Sequence, residues 1–474
     1  MFRPSLLVLF FVVLISIPAD AQSLCPTGTI SVKLICMIPQ VYGPNGLVLE
    51  NTKAQALGVA NSFQNGLPQA LSPLNTSIAR QTALLPLASP SSGITFSWDA
   101  ASKIFTASTD SFGPILGERA DTIGRYRVSV GFAYEYFNFD SSDGVSLKKL
   151  PAVFTQSDTF AQAANNGNGA LCSVPPPDSV NNMNECGFIR DIITTNTKVD
   201  LKLHQFTTFV TFGLTNRIDV SMAIPIENVR MGIISDATIQ DISQTKTFQF
   251  SNFSDHLRSI FGQSRNASGI GDITFRVKGI AWKGEKSALA LGVDARVPTG
   301  DALNFLGAGA AGFTPFLVWS YHARISPHAF VGYEVNGSSV IAGDITTGKK
   351  EKLPGELTYS AGADVWITKW LSAAFDLVGE QVFQAQRLSE TQIVRPAQCV
   401  LDPNNLCAAL VAESPPSDPN LVPTTGSYNV TNASIGARIK PFGHFVVTGN
   451  VLINLNNGGL RAKPVPLVGV SYTF

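Results

Sequence analysis

Beyond its first two dozen residues this sequence has no apolar stretch of the roughly 20 residues that a membrane-spanning helix needs. It is also short of charge. Asp, Glu, Lys and Arg make up 14% of the chain, where soluble domains carry about 25%. Neither sign is in excess, with 34 basic against 34 acidic residues, so the basic surplus that marks a nucleic-acid partner is missing. There is no G-x-S-x-G elbow, no H-E-x-x-H helix and no nucleotide-binding loop. The five histidines, His204, His256, His322, His328 and His444, are scattered. These gaps exclude a helical membrane protein and leave no signature for an enzyme, although a Ser–His pair meeting in space stays open. No catalytic, cofactor-binding or metal-ligating residue is expected, and no cofactor.

What is present begins with an export address. Arg3 precedes an apolar run from Leu6 to Ile17, and Ala19-Asp20-Ala21 is a small-x-small cleavage site, so residues 1–21 read as a signal peptide. Cys25 follows Leu24, too large a neighbour for a lipid-attachment site. An exported chain with an even number of cysteines reads as disulfide-bonded. The six cysteines fall into local couples, Cys25 with Cys36, Cys172 with Cys186, and Cys399 with Cys407. None has C-x-x-C spacing, which disfavours metal binding.

From Arg125 onward, apolar residues alternate with polar or small ones. Tyr126, Val128, Val130, Phe132, Tyr134 and Tyr136 share one face, opposite Arg125, Arg127, Ser129 and Glu135. Ile218, Val220, Met222, Ile224 and Ile226 oppose Asp219, Ser221 and Ala223. A strand has a side-chain period of two, so such segments have one oily and one wet face. About twelve are found, several longer than the usual soluble strand of about five or six residues, where a tilted spanning strand needs roughly nine to eleven, and short turns alternate with long connections. The fold expected is therefore all-β, an antiparallel transmembrane β-barrel of about 12 strands over 125–474. It would have 14 if a hairpin at 94–98 and 103–106 joins the sheet. The loops 234–269 and 386–426 are expected to be external, and a turn is expected at Ile325–Pro327.

In such a barrel charges belong in the lumen, because an Arg or Lys facing mid-bilayer lipid costs about 2–4 kcal/mol. The lumen-lining candidates are Arg127, Glu135, Lys202, Asp272, Arg276, Lys278, Asp294, Arg296, Glu334, Asp364, Asp376, Glu380, Arg438 and Lys440, with Lys198 beside Lys202. They set which solutes pass, or pair across strands and pin register. The final alternation, Val468, Val470, Tyr472 and Phe474, resembles the closing strand by which outer-membrane barrels are taken up for assembly. Tyr472 and Phe474 would be that signal.

Three motifs carry a resemblance to a family. Gly213–Pro225, Gly269–Lys278 and Leu291–Asp301 are similar to turn-and-strand motifs of the outer-membrane barrels of the MetA pathway of phenol degradation, with likeness running over roughly 195–474. The resemblance implies an outer-membrane barrel concerned with moving aromatic or other hydrophobic compounds.

Residues 22–124 differ. They are polar, small and proline-dotted, with short helices expected at Glu50–Phe63 and Ser77–Leu84. Such a segment would plug the lumen or hang in the periplasm. The function expected is passive passage of small molecules across a bacterial outer membrane. The alternatives are a structural or surface-contact barrel, or a barrel hydrolase. The partners are outer-membrane lipid, the barrel-assembly machinery and a small-molecule solute. Substrate, direction and oligomeric state stay open.

Overall fold

A computed structural model describes residues 25–50, 52, 55, 63, 74–78, 96–99, 104–107, 115–155, 191–241, 246, 248–251, 256–345, 348–394, 398–401, 407–411 and 417–474. The signal peptide and the couple Cys172 and Cys186 lie outside them, as do most of the two short helices expected in the N-terminal segment.

The alternating segments form strands β1 (Val128–Ser142), β2 (Ile192–Gly213), β3 (Ile218–Gln240) and β4, which runs in two pieces, Arg258–Ile270 and Ile273–Lys283. Next come β5 (Ser287–Val297), β6 (Gly312–Tyr321), β7 (Ile325–Asn336) and β8 (Glu356–Thr368). The last four are β9 (Leu371–Val394), β10 (Ser417–Ile439), β11 (Phe445–Asn454) and β12 (Val465–Thr473). Each pairs antiparallel with the next, and β12 pairs back onto β1, with Leu467 opposite Glu135 and Tyr472 opposite Val130. The sheet is thus a closed ring of 12 strands. Closure leaves no unpaired edge, the condition for a sheet to cross hydrocarbon. Short pieces at Val145–Ser146, Leu150–Phe154 and Leu460–Ala462 join the same sheet.

Several expectations need correction. Phe96–Asp99 and Ile104–Ala107 do pair, but as a separate two-stranded sheet, so the barrel does not reach 14 strands. The first strand starts at Val128, not Arg125, because Tyr126 turns the chain with a φ of 59°. The third short turn lies before Ile325, which with Pro327 is already in β7. Much of the supposed loops 234–269 and 386–426 is strand. β3 runs on to Gln240, β4 begins at Arg258, β9 reaches Val394 and β10 begins at Ser417. The paired backbone simply continues beyond the lipid, where side chains no longer need the oily-out pattern.

All the strand ends joined by the short turns lie at one rim, here called the turn end. Outer-membrane barrels place short turns in the periplasm and longer loops outside. The turn-end rim carries outward aromatics, including Trp282, Trp319, Trp370, Phe442, Tyr472 and Phe474. A second outward set, Phe206, Phe313, Tyr333 and Phe383, lies towards the loop end. Two such rings mark the two membrane interfaces.

Candidate functional site

Within the spanning part of the ring the inner face carries a network of paired charges, with small apolar clusters around Phe209 and Phe316 beside it. Arg276 on β4 stands opposite Asp294 on β5 in register and bonds it at 2.6 Å. Arg296 on β5 reaches back to Asp272 at 3.0 Å and across β6 to Glu334 on β7 at 2.8 Å. That second reach is possible because the residue between them is Gly312. A Cβ there would run into both the Glu334 carboxylate and the Arg296 guanidinium. Asp272 also accepts the backbone N–H groups of Gly300 and Ala308, at 3.0 and 2.8 Å, which ties the β5–β6 connection to the wall. On the far side His328 of β7 bonds Asp376 of β9 at 2.5 Å and lies 3.7 Å from Asp364 of β8. Arg438 of β10 is fully buried in the same region.

Residues 115–124 lie against this inner wall. Glu118 receives one cation on each carboxylate oxygen, Arg276 at 2.5 Å and Lys278 at 2.8 Å. Lys278 also donates to the Arg119 carbonyl at 2.8 Å. Gly117 passes so close to the wall that a Cβ would come within 2.8 Å of His328 Nε2. Towards the turn end, the Ala120 N–H donates to Ser320 and the Ile123 N–H to Asp219. His322, in the β6–β7 turn, pairs with Asp121 at 2.6 Å. Burial alone would push the Asp121 carboxyl up. The hydrogen bond from His322, with the charges of His322, Arg119 and Lys283, outweighs it and holds the group at about 2. The same hydrogen bond raises His322 above its ordinary value.

Towards the loop end the inner face changes character. Phe137, Phe139, Val199, Leu201, Leu203, Val229, Met231 and Ile233 point inward and form one buried apolar cluster with Leu34, Ile35, Met37, Ile38 and Val41. A Cys25–Cys36 disulfide braces this N-terminal stretch. Tyr42 anchors it, bonding Ser235 at 2.8 Å and meeting Phe154 and Phe261 edge-on at 5.6 and 5.1 Å. Lys33 pairs with Asp301 at 2.8 Å. Residues 25–49 thus fill the loop-end chamber, and 115–124 line the turn-end half.

Of the lumen candidates, Glu135, Asp272, Arg276, Lys278, Asp294, Arg296, Glu334, Asp364, Asp376 and Arg438 do face inward. Glu380 follows the same alternation and is half-buried. Arg127 and Lys440 stand just outside the ends of β1 and β10, at the turn-end rim. Lys202 is a correction. On β2 the odd-numbered residues are the buried ones, so Lys202 and its neighbour Lys198 point outward, above the oily band. The lipid penalty that keeps charge inward does not apply at that level. Cys399 and Cys407 lie on two short paired strands, with side chains outside the described residues. Sequence reasoning missed Glu118, Arg119 and Asp121. Their three charges within four positions, in a stretch otherwise poor in charge, were the available signal.

A closed antiparallel ring, oily outside and ion-paired inside, is a transmembrane β-barrel, and barrels of this build reside in the bacterial outer membrane. The family resemblance is confirmed over residues 194–387, which match the family described as "Putative MetA-pathway of phenol degradation". No curated protein matches the chain. Among solved structures, the COG4313 outer membrane channel from Pseudomonas putida F1 is similar with a TM-score of 0.41 at 10% identity, covering 75% of this chain and 98% of that one. A Pseudomonas aeruginosa FadL homologue gives 0.28 at 8% identity, covering 74% and 90%. Salmonella typhi OmpF in complex with daunomycin gives 0.25 at 10% identity, covering 74% and 98%. At such scores these likenesses carry no weight for what passes through this barrel.

Proposed function

We propose that the barrel is a channel for passive passage of small hydrophobic compounds, aromatic ones among them. The observation that carries the reading is the apolar lining of the loop-end chamber, seen in Leu201, Leu203, Val229, Met231 and Ile233. A general porin has a polar, water-filled interior; an oily vestibule instead favours an oily solute over water. The chain's own residues 34–41 occupy that vestibule in the present state, so passage requires the N-terminal segment to give way. Residues 22–124 are on this reading a plug, the lumen charges select among the solutes that leave the vestibule, and Tyr472 and Phe474 serve recognition by the assembly machinery. The reading is non-enzymatic. Among the described residues neither His322 nor His328 is hydrogen-bonded to a serine hydroxyl; His322 bonds Asp121 and the Lys286 carbonyl, and His328 bonds Asp376 and the Ser326 carbonyl.

A second reading is favoured by the filling itself: a sealed barrel that serves as a structural or surface-contact element. Liposome swelling and single-channel conductance separate the two. Glu118→Ala removes the carboxylate shared by Arg276 and Lys278. It is expected to raise the flux of a small aryl solute several-fold, and more than that of a sugar of similar size. Wild type and variant both impermeable would establish the sealed barrel. Equal uptake of unrelated solutes would reduce the claim to a general pore.

A further inference from the structure

On the outer wall of β1–β4 the side chains fall into rows. Register places Tyr134, Phe206, Ile226 and Ile270 side by side as the last oily row. The next row is Tyr136, His204, Asn228 and Ser268, and the row above that is Asn138, Lys202, Arg230 and Asn266. From Ile218, at the turn-end edge of the oily face, to Arg230 the strand climbs roughly 40 Å at its usual rise, or roughly 30 Å in height at a tilt near 40°. That is about the thickness of the hydrocarbon. Lys202 and Arg230 therefore stand at the level of the headgroups of the outer leaflet.

Two cations stand directly opposite each other there, an arrangement that is destabilising unless an anion lies between them. Arg230 forms no ion pair among the described residues; its Nε donates to the Asn228 amide oxygen at 3.1 Å. Lys198, two outward positions further along β2, beyond Asp200, forms none either. Lys202 pairs with Asp200 at 2.9 Å, but both side chains are well exposed, at 37% and 54%, and such a pair is worth little. Asn138 and Asn266 flank the cations in their own row, and the row below is hydrogen-bonded, with Asn228 donating to Ser268 and Tyr134, one row lower, bonding His204.

We infer that Lys202 and Arg230 form a binding site for the phosphate of an outer-leaflet glycolipid headgroup, with Lys198 adding charge and Asn138 and Asn266 as polar flanks. An ammonium and a guanidinium side by side suit a phosphate that neither would hold alone. Aromatic rings one and two rows below, Tyr136, Tyr134 and Phe206, meet the upper ends of the acyl chains. The chemistry is that of a membrane anchor, and it does not depend on what passes through the lumen.

The test uses the full-length protein in detergent micelles, titrated with bis-phosphorylated lipid A, with the same lipid stripped of its phosphates, and with inorganic phosphate, and read by native mass spectrometry and by Tm. Wild type is expected to retain phosphorylated lipid A at least tenfold more tightly than the Lys202→Gln/Arg230→Gln double variant. The Lys202→Arg/Arg230→Lys exchange should keep most of that affinity. The dephosphorylated lipid should bind wild type and double variant alike. Heat-modifiable migration on a gel checks that each variant is a folded barrel. Equal retention of phosphorylated lipid A by wild type and a folded double variant would overturn the site. So would a Tm rise with inorganic phosphate as large as with the lipid, which would make it a site for free anions.

Discussion

β2 and β3 pass through two regions of the molecule and wear opposite faces in them. Up to Phe206 and Ile226 their outward residues are mostly oily, and their inward ones include the polar Thr207, Thr211, Asp219 and Ser221. Beyond that level Leu201, Leu203, Val229, Met231 and Ile233 turn inward, while Lys202, Asp200, Asn228 and Arg230 turn outward. The backbone and its period of two do not change. What changes is the solvent on each side: lipid outside the lower part, water outside the upper part, and a packed segment of the chain's own N-terminal region inside it. The lower half is a membrane barrel, and the upper half is built like a soluble β-protein with an ordinary apolar core.

Equivalent substitutions should therefore behave differently in the two halves. The largest effect is expected from Arg296→Ala, which leaves Asp272 and Glu334 buried without their shared cation. Breaking a buried pair in this way costs about 3–5 kcal/mol, to be read from urea unfolding of the barrel in lipid. A loss below about 1 kcal/mol would mean that water in the lumen screens the network. Next comes a matched pair on one strand face. Ile224→Arg, facing mid-bilayer, should cost about 2–4 kcal/mol. Ile234→Arg, on the same face above the oily band, should cost no more than about 1 kcal/mol, as near an interface. Equal costs would erase the boundary drawn between Ile226 and Asn228.

The smallest effect concerns the tie at the turn end. Asp121 is depressed from 3.8 to about 2, so its contribution is complete above the ordinary value and is lost as pH falls towards 2. His322 is raised above 6.5, so its contribution is complete below that value and is lost as pH climbs through the raised pKa. The attachment should be firmest between about pH 4 and pH 6.5. Protection of the 120–124 amides from hydrogen exchange should peak in that window, and His322→Gln should flatten its alkaline side.

Much of the lower half was legible. Alternation in Ile218–Ile226, Ile273–Lys278 and Leu289–Val297 reveals the strands, because lipid and lumen impose opposite demands on successive residues. Pairs such as Arg276 with Asp294 follow from the rule that charge avoids lipid. The upper half was not legible for the same reason. Arg258–Ile270 reads Arg-Ser-Ile-Phe-Gly-Gln-Ser-Arg-Asn, with no contrast between its faces, because one meets water and the other meets the N-terminal stretch. Lys202 shows the limit most clearly: alternation reveals which residues share a face but not which solvent that face meets. The N-terminal contacts have no periodicity at all. Glu118 and Asp121 acquire their roles only from wall residues more than 150 positions away.

The bonds that close the ring, from Leu467 and Tyr472 to Glu135 and Val130, bear on the order of events in folding. The loop-end chamber holds the disulfide-looped stretch 25–36, while residues 115–124 hug the opposite half. Were the wall sealed first, that cross-linked stretch would have to be threaded past Arg276, Lys278 and Arg296 along most of the barrel's length. Laying the stretch down on an open, curling sheet needs no threading, so the row between first and last strands is the one that zips shut at the end.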